Sequence, residues 1–252
     1  MSRLRAVAHL LAPLTMTLLP ALLQAQASRA EKPTVLLIAG LGDDARVWKK
    51  TIEKLGDSVR VVAYNRPGYG NRPAAGTSRD PCTVATELHT YLHADSSSTS
   101  YVVVGHSLGG QYAYAYARLF PRDVAGLVLV DATPIGHWAA MQKEMSMAAR
   151  MLRMLKATTF SRTMKQEFDA QEVCLDSLST HPVSFPVRVL VRTVGDAVGG
   201  EQLLRIDTRL AASWSQMLGE APLEPVARSG HYIQKEQPEF LANVIRSMLL
   251  LR

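Results

Sequence analysis

The sequence is short of cysteine, with two in 252 residues. Neither Cys82 nor Cys174 lies near the amino-terminal apolar run, which excludes the lipid attachment of a lipoprotein. Clusters of like charge are also missing. The net charge of +6 comes from scattered lysines and arginines, two of them Arg3 and Arg5, so nothing here makes a nucleic-acid surface. There is no internal repeat. Gly199-Gly200 stands without the lysine or serine pattern of a phosphate loop. His89 and His93 lie four apart on a helical stretch, but no third donor accompanies them at metal-ligand spacing. They read as two histidines stacked on a helix face. Neither a metal nor a cofactor is expected.

What is present suits a globular chain. Apolar residues make up 47%, enough for one large core and too many for disorder. The first 27 residues read as a secretory signal peptide. Arg3 and Arg5 give a basic start, residues 6–23 are apolar and uncharged, and Ala25-Gln26-Ala27 supplies the small residues of a cleavage site. His9, Pro13 and Pro20 interrupt the run, which argues against a permanent anchor. The mature chain is therefore expected in the periplasm or outside the cell, without a stable membrane anchor. There Cys82 and Cys174 could form a disulfide, or could be two buried apolar side chains; the sequence leaves both open.

Strand-like apolar runs occur at residues 34–39, 59–64, 101–104, 126–131, 187–192 and 223–227, with helical patterns between them. Alternation of this kind predicts an α/β fold, a mostly parallel sheet of about six strands with helices on both faces. The rhythm breaks once. Residues 134–186 contain no convincing strand and read as a helical cap inserted into a core of residues 28–133 and 187–252.

One stretch organises the rest. A β-branched run at 101–104 leads into Gly105-His106-Ser107-Leu108-Gly109-Gly110, and a helical run follows until Pro121. A serine at the corner of a strand and a helix, with glycine two residues to either side, is the nucleophile elbow pattern. Ser107 needs a base, and His231 lies late in the chain, in a loop between a strand and a helix. The base in turn needs an acid to orient it. Asp196 follows the fifth strand and keeps the chain order serine, aspartate, histidine; Asp131, at the end of the preceding strand, is its rival, and Asp207 is third. Backbone N–H groups of Leu41 and Leu108 are the expected oxyanion donors. His106, beside the serine, reads as packing.

The GHSLGG elbow, the SGHYIQKEQPEF histidine loop, the RPGYG turn and a strand-end glycine followed by a tryptophan together resemble the α/β-hydrolase superfamily. The resemblance covers nearly the whole mature chain. It implies a three-layer sandwich with a helical cap, a serine hydrolase mechanism and no cofactor. The chain departs from the family pattern in three places. Ala39 stands where histidine usually precedes the oxyanion glycine, Asn65 stands where aspartate is common, and Asp196 follows Gly195 at once. The usual first two strands also have no room before residue 34, so the sheet should be reduced.

The expectation is an exported, monomeric serine hydrolase that cleaves a carboxylic ester or related acyl bond. The methionine-rich insert suggests a small to medium, partly apolar acyl substrate. The same triad could instead act on an amide, thioester or carbon–carbon bond, or the scaffold could be a catalytically silent binding protein. A serine at the elbow disfavours the dehalogenase and epoxide hydrolase chemistry of members that carry aspartate there.

Overall fold

The computed structural model describes residues 34–95, 100–178, 181–195 and 199–250. The expected signal peptide and Asp196 lie outside the described residues. Six strands form one sheet: β1 (Thr34–Ile38), β2 (Val61–Tyr64), β3 (Tyr101–His106), β4 (Val124–Val130), β5 (Val187–Arg192) and β6 (Leu223–Val226). Every pairing is parallel, in the order β2-β1-β3-β4-β5-β6. The strand and helix alternation read from the sequence is this architecture.

The described helices are α1 (Lys49–Leu55), α2 (Pro81–Asp95), α3 (Leu108–Leu119), α4 (His137–Glu144), α5 (Ser146–Thr159), α6 (Arg162–Ala170), α7 (Gly200–Met217), α8 (Ile233–Glu236) and α9 (Pro238–Leu250). Side chains of a strand alternate between faces, so β1 sends Leu36 and Ile38 one way and Val35 and Leu37 the other. On the first face they meet α2, α3 and α7, through residues such as Leu88, Tyr112 and Trp214. On the second they meet α1 and α9, through Leu55, Leu241 and Ile245. Both faces of β1, β3 and β4 are covered, which is why these strands read as unbroken apolar runs rather than alternating ones. Complete burial of one such Leu or Val side chain is worth about 1.5–3 kcal/mol.

Helices α4, α5 and α6 and a 3-10 turn (Leu175–Ser177) fill the interval between β4 and β5. Helix α5 does not bring its methionines inward. Met147, Met151 and Met154 are each at least 65% exposed, whereas Met141 of α4 is buried. Among the described residues, no helix is long and apolar enough to cross a membrane.

Cys82, in the first turn of α2, and Cys174, just before the 3-10 turn, are disulfide-bonded, with their Cα atoms 6.1 Å apart. The bond closes a separation of 92 residues and ties the insert to the core. In the chain-entropy picture a loop of that size contributes about 4–5 kcal/mol. Reduction, or a Cys82→Ser/Cys174→Ser double variant, should lower the unfolding temperature by about 10 °C. An unchanged melting curve under reductant would show that the bond does not form in solution.

Candidate active site

Strand β3 ends at His106, and helix α3 begins at Leu108, so Ser107 must make the whole turn by itself. It does so with φ +54°, a left-handed backbone that a side chain rarely adopts. The strain is sustained by close packing on both sides. A Cβ on Gly105 would come within 2.7 Å of the Ala113 Cβ, so α3 can lie against β3 only with glycine there. Backbone bonds fix the corner: Ser107 donates its N–H to Val130 O, and Ser107 O accepts from Gly110 N and Thr133 N. The Ser107 hydroxyl lies 3.3 Å from that of Thr133.

His231 arrives from the loop between β6 and α8. Thr193 N and Val194 N, just past β5, both donate to Ser229 O, which stitches this loop to the end of β5. Gly230 N donates to the Glu236 carboxylate on the other side. So held, His231 places Nδ1 2.6 Å from Oδ2 of Asp131. Asp131 follows β4 directly and turns with φ +41°, while its N–H donates to Leu190 O in β5. Its Oδ1 accepts from Arg192 N, and the Arg192 guanidinium lies 3.6 Å from Oδ2. The reading of the acid changes here. The sequence ranked Asp196 above Asp131, but the carboxylate on His231 is that of Asp131, and Asp196 lies outside the described residues. Asp207 also belongs elsewhere, since it binds His137 Nδ1 and Arg192 Nη2, each at 2.6 Å.

Ser107, Asp131, Thr133 and His231 line one cavity of about 150 Å³. Val189, Leu203, Leu204 and Trp214 contribute apolar wall, and His137, Arg192 and Asp207 add a polar end. The glycine-flanked loop after β1 meets the same corner. A Cβ on Gly40 would sit 3.0 Å from that of Ser107, so the backbone leading into Leu41 runs against the serine. Leu108, the other nominated donor, opens α3, where the N–H groups of the first turn carry the positive end of the helix dipole.

Residues 35–244 match the model of a family described as the alpha/beta hydrolase family. The chain belongs to that family. It is 35% identical over 103 residues to "Putative carbamate hydrolase RutD" of Escherichia coli O9:H4 (strain HS), a stretch covering 40% of this chain and 38% of that one. It thus spans well under half the length of this curated relative. Among solved structures it is similar to Cfl2 from Burkholderia cenocepacia, with TM-score 0.62, 21% identity and 88% and 90% of the two chains covered. An esterase from Thermogutta terrifontis aligns with TM-score 0.59 and 20% identity over 86% and 89%. At such identities the two structures speak for the fold alone.

The loop beside Ser107 is held from outside the sheet. Arg66, in the RPGYG turn, is fully buried and donates to Ala39 O at 2.5 Å and Gly40 O at 2.9 Å. Its Nε and Nη2 donate to the two carboxylate oxygens of Glu167, on α6 of the insert, at 2.8 and 3.0 Å. Tyr69 also donates to Glu167, at 2.6 Å, while its hydroxyl accepts from Gly42 N at 3.3 Å. Burial opposes the charge on Arg66, yet the adjacent Glu167 holds its pKa above the ordinary value. Burial pushes the Tyr69 phenol up to about 12. Asn65, the departure from the family's aspartate, accepts from Ala45 N at 2.7 Å and pins the start of the next helical turn.

Sequence reasoning did not find Arg66 and Glu167 as a pair, because 101 residues separate them. It also gave His106 too small a part. This buried imidazole donates Nε2–H to the backbone carbonyl of His231 at 2.9 Å, and the two rings lie 4.6 Å apart. Its position directly before the elbow serine was the available signal.

Two outcomes follow from these buried groups. Glu167→Ala leaves the Arg66 charge uncompensated and should cost about 3–5 kcal/mol of stability in urea denaturation, well above the loss in Tyr69→Phe. Equal, small losses would mean that the pair does not hold the loop. Burial, and then the neighbouring His231, lower the pKa of His106 well below 6.5. The folded protein therefore keeps His106 neutral where the unfolded chain protonates it, and stability falls as pH drops below about 6.5. One such proton gives a slope of up to about 1.4 kcal/mol per pH unit, and His106→Gln should flatten the curve between pH 7.5 and 5.5 by that contribution.

Proposed function

We propose that this chain is an exported serine hydrolase that cleaves a carboxylic ester or related acyl bond through an acyl-enzyme. What carries the reading is the hydrogen bond from His231 Nδ1 to Asp131, in the same cavity as a serine at a strained strand–helix corner. With Nδ1–H given to Asp131, the basic lone pair of the imidazole is on Nε2. In the first step Ser107 Oγ attacks the carbonyl carbon and its proton passes to Nε2. The oxyanion is stabilised by the N–H groups of Leu41 and Leu108. As the C–O bond to the leaving group breaks, His231 returns the proton to the departing alkoxide. Water then attacks the acyl-enzyme by the same proton route, releasing the acid and restoring Ser107.

Asp131, rather than Asp196, is the acid in this reading. Its carboxylate keeps the imidazole in the Nδ1–H tautomer and stabilises the imidazolium as it forms. The cavity of about 150 Å³, with aliphatic walls and Arg192, Asp207 and His137 at one end, supports a small acyl group that carries a polar end. The disulfide favours an oxidising compartment and supports export. The esterase among the similar structures is in keeping with the chemistry.

Ser107→Ala should abolish hydrolysis of short-chain p-nitrophenyl esters with the unfolding temperature nearly unchanged, and a fluorophosphonate should label wild type at Ser107. Asp131→Asn should lower turnover by about ten-thousandfold, as in the serine-protease template, while Asp196→Asn changes it little. Substantial activity in the serine variant sinks the mechanism. The reverse ranking of the two aspartates moves the acid to Asp196.

A further inference from the structure

At the far end of β4 from Asp131, a second cluster of histidines and carboxylate gathers. His89 and His93 stand one turn apart on α2, and both direct Nε2 at Oδ2 of Asp123, at 3.3 and 2.9 Å. Asp123 comes from another part of the chain, the 3-10 turn Pro121–Asp123 between α3 and β4. One donor atom from each residue lies within 4.8 Å of the other two. This carboxylate is the third donor that sequence spacing could not supply.

The spacing suits a borderline divalent ion. With zinc bonds of about 2.0–2.1 Å, neighbouring donors of a tetrahedral site are about 3.3–3.4 Å apart. The two donor–acceptor edges of 3.3 and 2.9 Å need only a few tenths of an ångström of adjustment. The supports are also those of a ligand set. Tyr116 OH donates to the same Oδ2 at 3.2 Å, orienting the carboxylate from outside. The Phe120 ring stacks on His89 at 3.9 Å between centroids. Helix α2 is anchored by buried Val84, Leu88 and Leu92, so its histidines sit on a rigid base. All three donor residues keep some exposure, about one-third for each imidazole, which leaves an entry path and room for a water as fourth ligand.

Two hydrogen bonds, from His93 and Tyr116, and the His89 imidazole at 3.3 Å converge on one carboxylate oxygen. A divalent cation would take the place of the His93 proton and use the convergence of both imidazoles on that oxygen. The other comparable group among the described residues, Asp80 with Cys82 and Cys174, offers no thiolate because both sulfurs are in the disulfide.

We propose that His89, His93 and Asp123 form a binding site for zinc or a chemically similar divalent transition metal, which clamps α2 to the turn that enters β4. Asp123 and Asp131 flank β4 at opposite ends, about 25 Å apart at the rise of a strand, so the site is separate from the Ser107 cavity and does not depend on its chemistry.

The test is calorimetric titration of the full, chelator-stripped protein with zinc chloride at pH 7.5, paired with thermal unfolding with and without the metal. The expected result is one zinc per chain with Kd below about 10 µM and a rise of several degrees in unfolding temperature. His93→Gln and Asp123→Asn should each weaken binding at least tenfold and remove the rise, and Tyr116→Phe should weaken it by a smaller factor. Failure of wild type to bind zinc overturns the proposal. So does binding that survives undiminished in either ligand variant, which would place the metal elsewhere, at His231 for example.

Discussion

Strands β3 and β4 run parallel and end side by side, so whatever follows them must leave the sheet within about one residue. That constraint puts Ser107 and Asp131 both at positive φ and both on the carboxyl edge. Adjacent strands are only about 4.8 Å apart, so the two bends bring a hydroxyl and a carboxylate to neighbouring positions without any long loop. His231 alone has to travel, and it is carried in by a loop sewn to the end of β5. The geometry of the cavity is thus a property of the sheet more than of the segments around it.

The insert matters to that geometry from the opposite direction. Helix α6 supplies Glu167, whose carboxylate neutralises Arg66, and Arg66 holds the carbonyls of the loop that presses on Ser107. An Arg placed there without a partner would be a buried, unpaired charge, so loop and insert have to be arranged together. The disulfide anchors the same insert a second time, through α2. In the proposed mechanism this makes the oxyanion loop a reporter of the seating of the insert.

The polar end of the cavity reshapes what composition suggested about substrate. Methionine is abundant in the insert, but α5 turns Met147, Met151 and Met154 outward, and the cavity is walled by β5 and α7 instead. Helical periodicity shows that a face is apolar. It does not say whether that face meets the core or solvent, and in α5 only Ala149 is buried.

Much was legible without coordinates. Apolar β-branched runs identified the central strands, because strands covered on both faces have to be apolar throughout, while the proline of 223–227 marked β6 as an edge. The elbow was legible because glycine two residues to either side of Ser107 is a local steric demand. The histidine loop was legible from its place between a strand and a helix late in the chain. The carboxylate partner of His231 was harder, since chain order admits any aspartate between Ser107 and His231, and both Asp131 and Asp196 follow strands. Only the pairing of β4 with β3 and the docking of the His231 loop on β5 bring the Asp131 carboxylate to Nδ1. The same holds for Arg66 with Glu167, and for His89 and His93 with Asp123. Local sterics and burial leave their mark on neighbouring residues. A contact between groups tens of positions apart leaves none, because it exists only after the chain has folded.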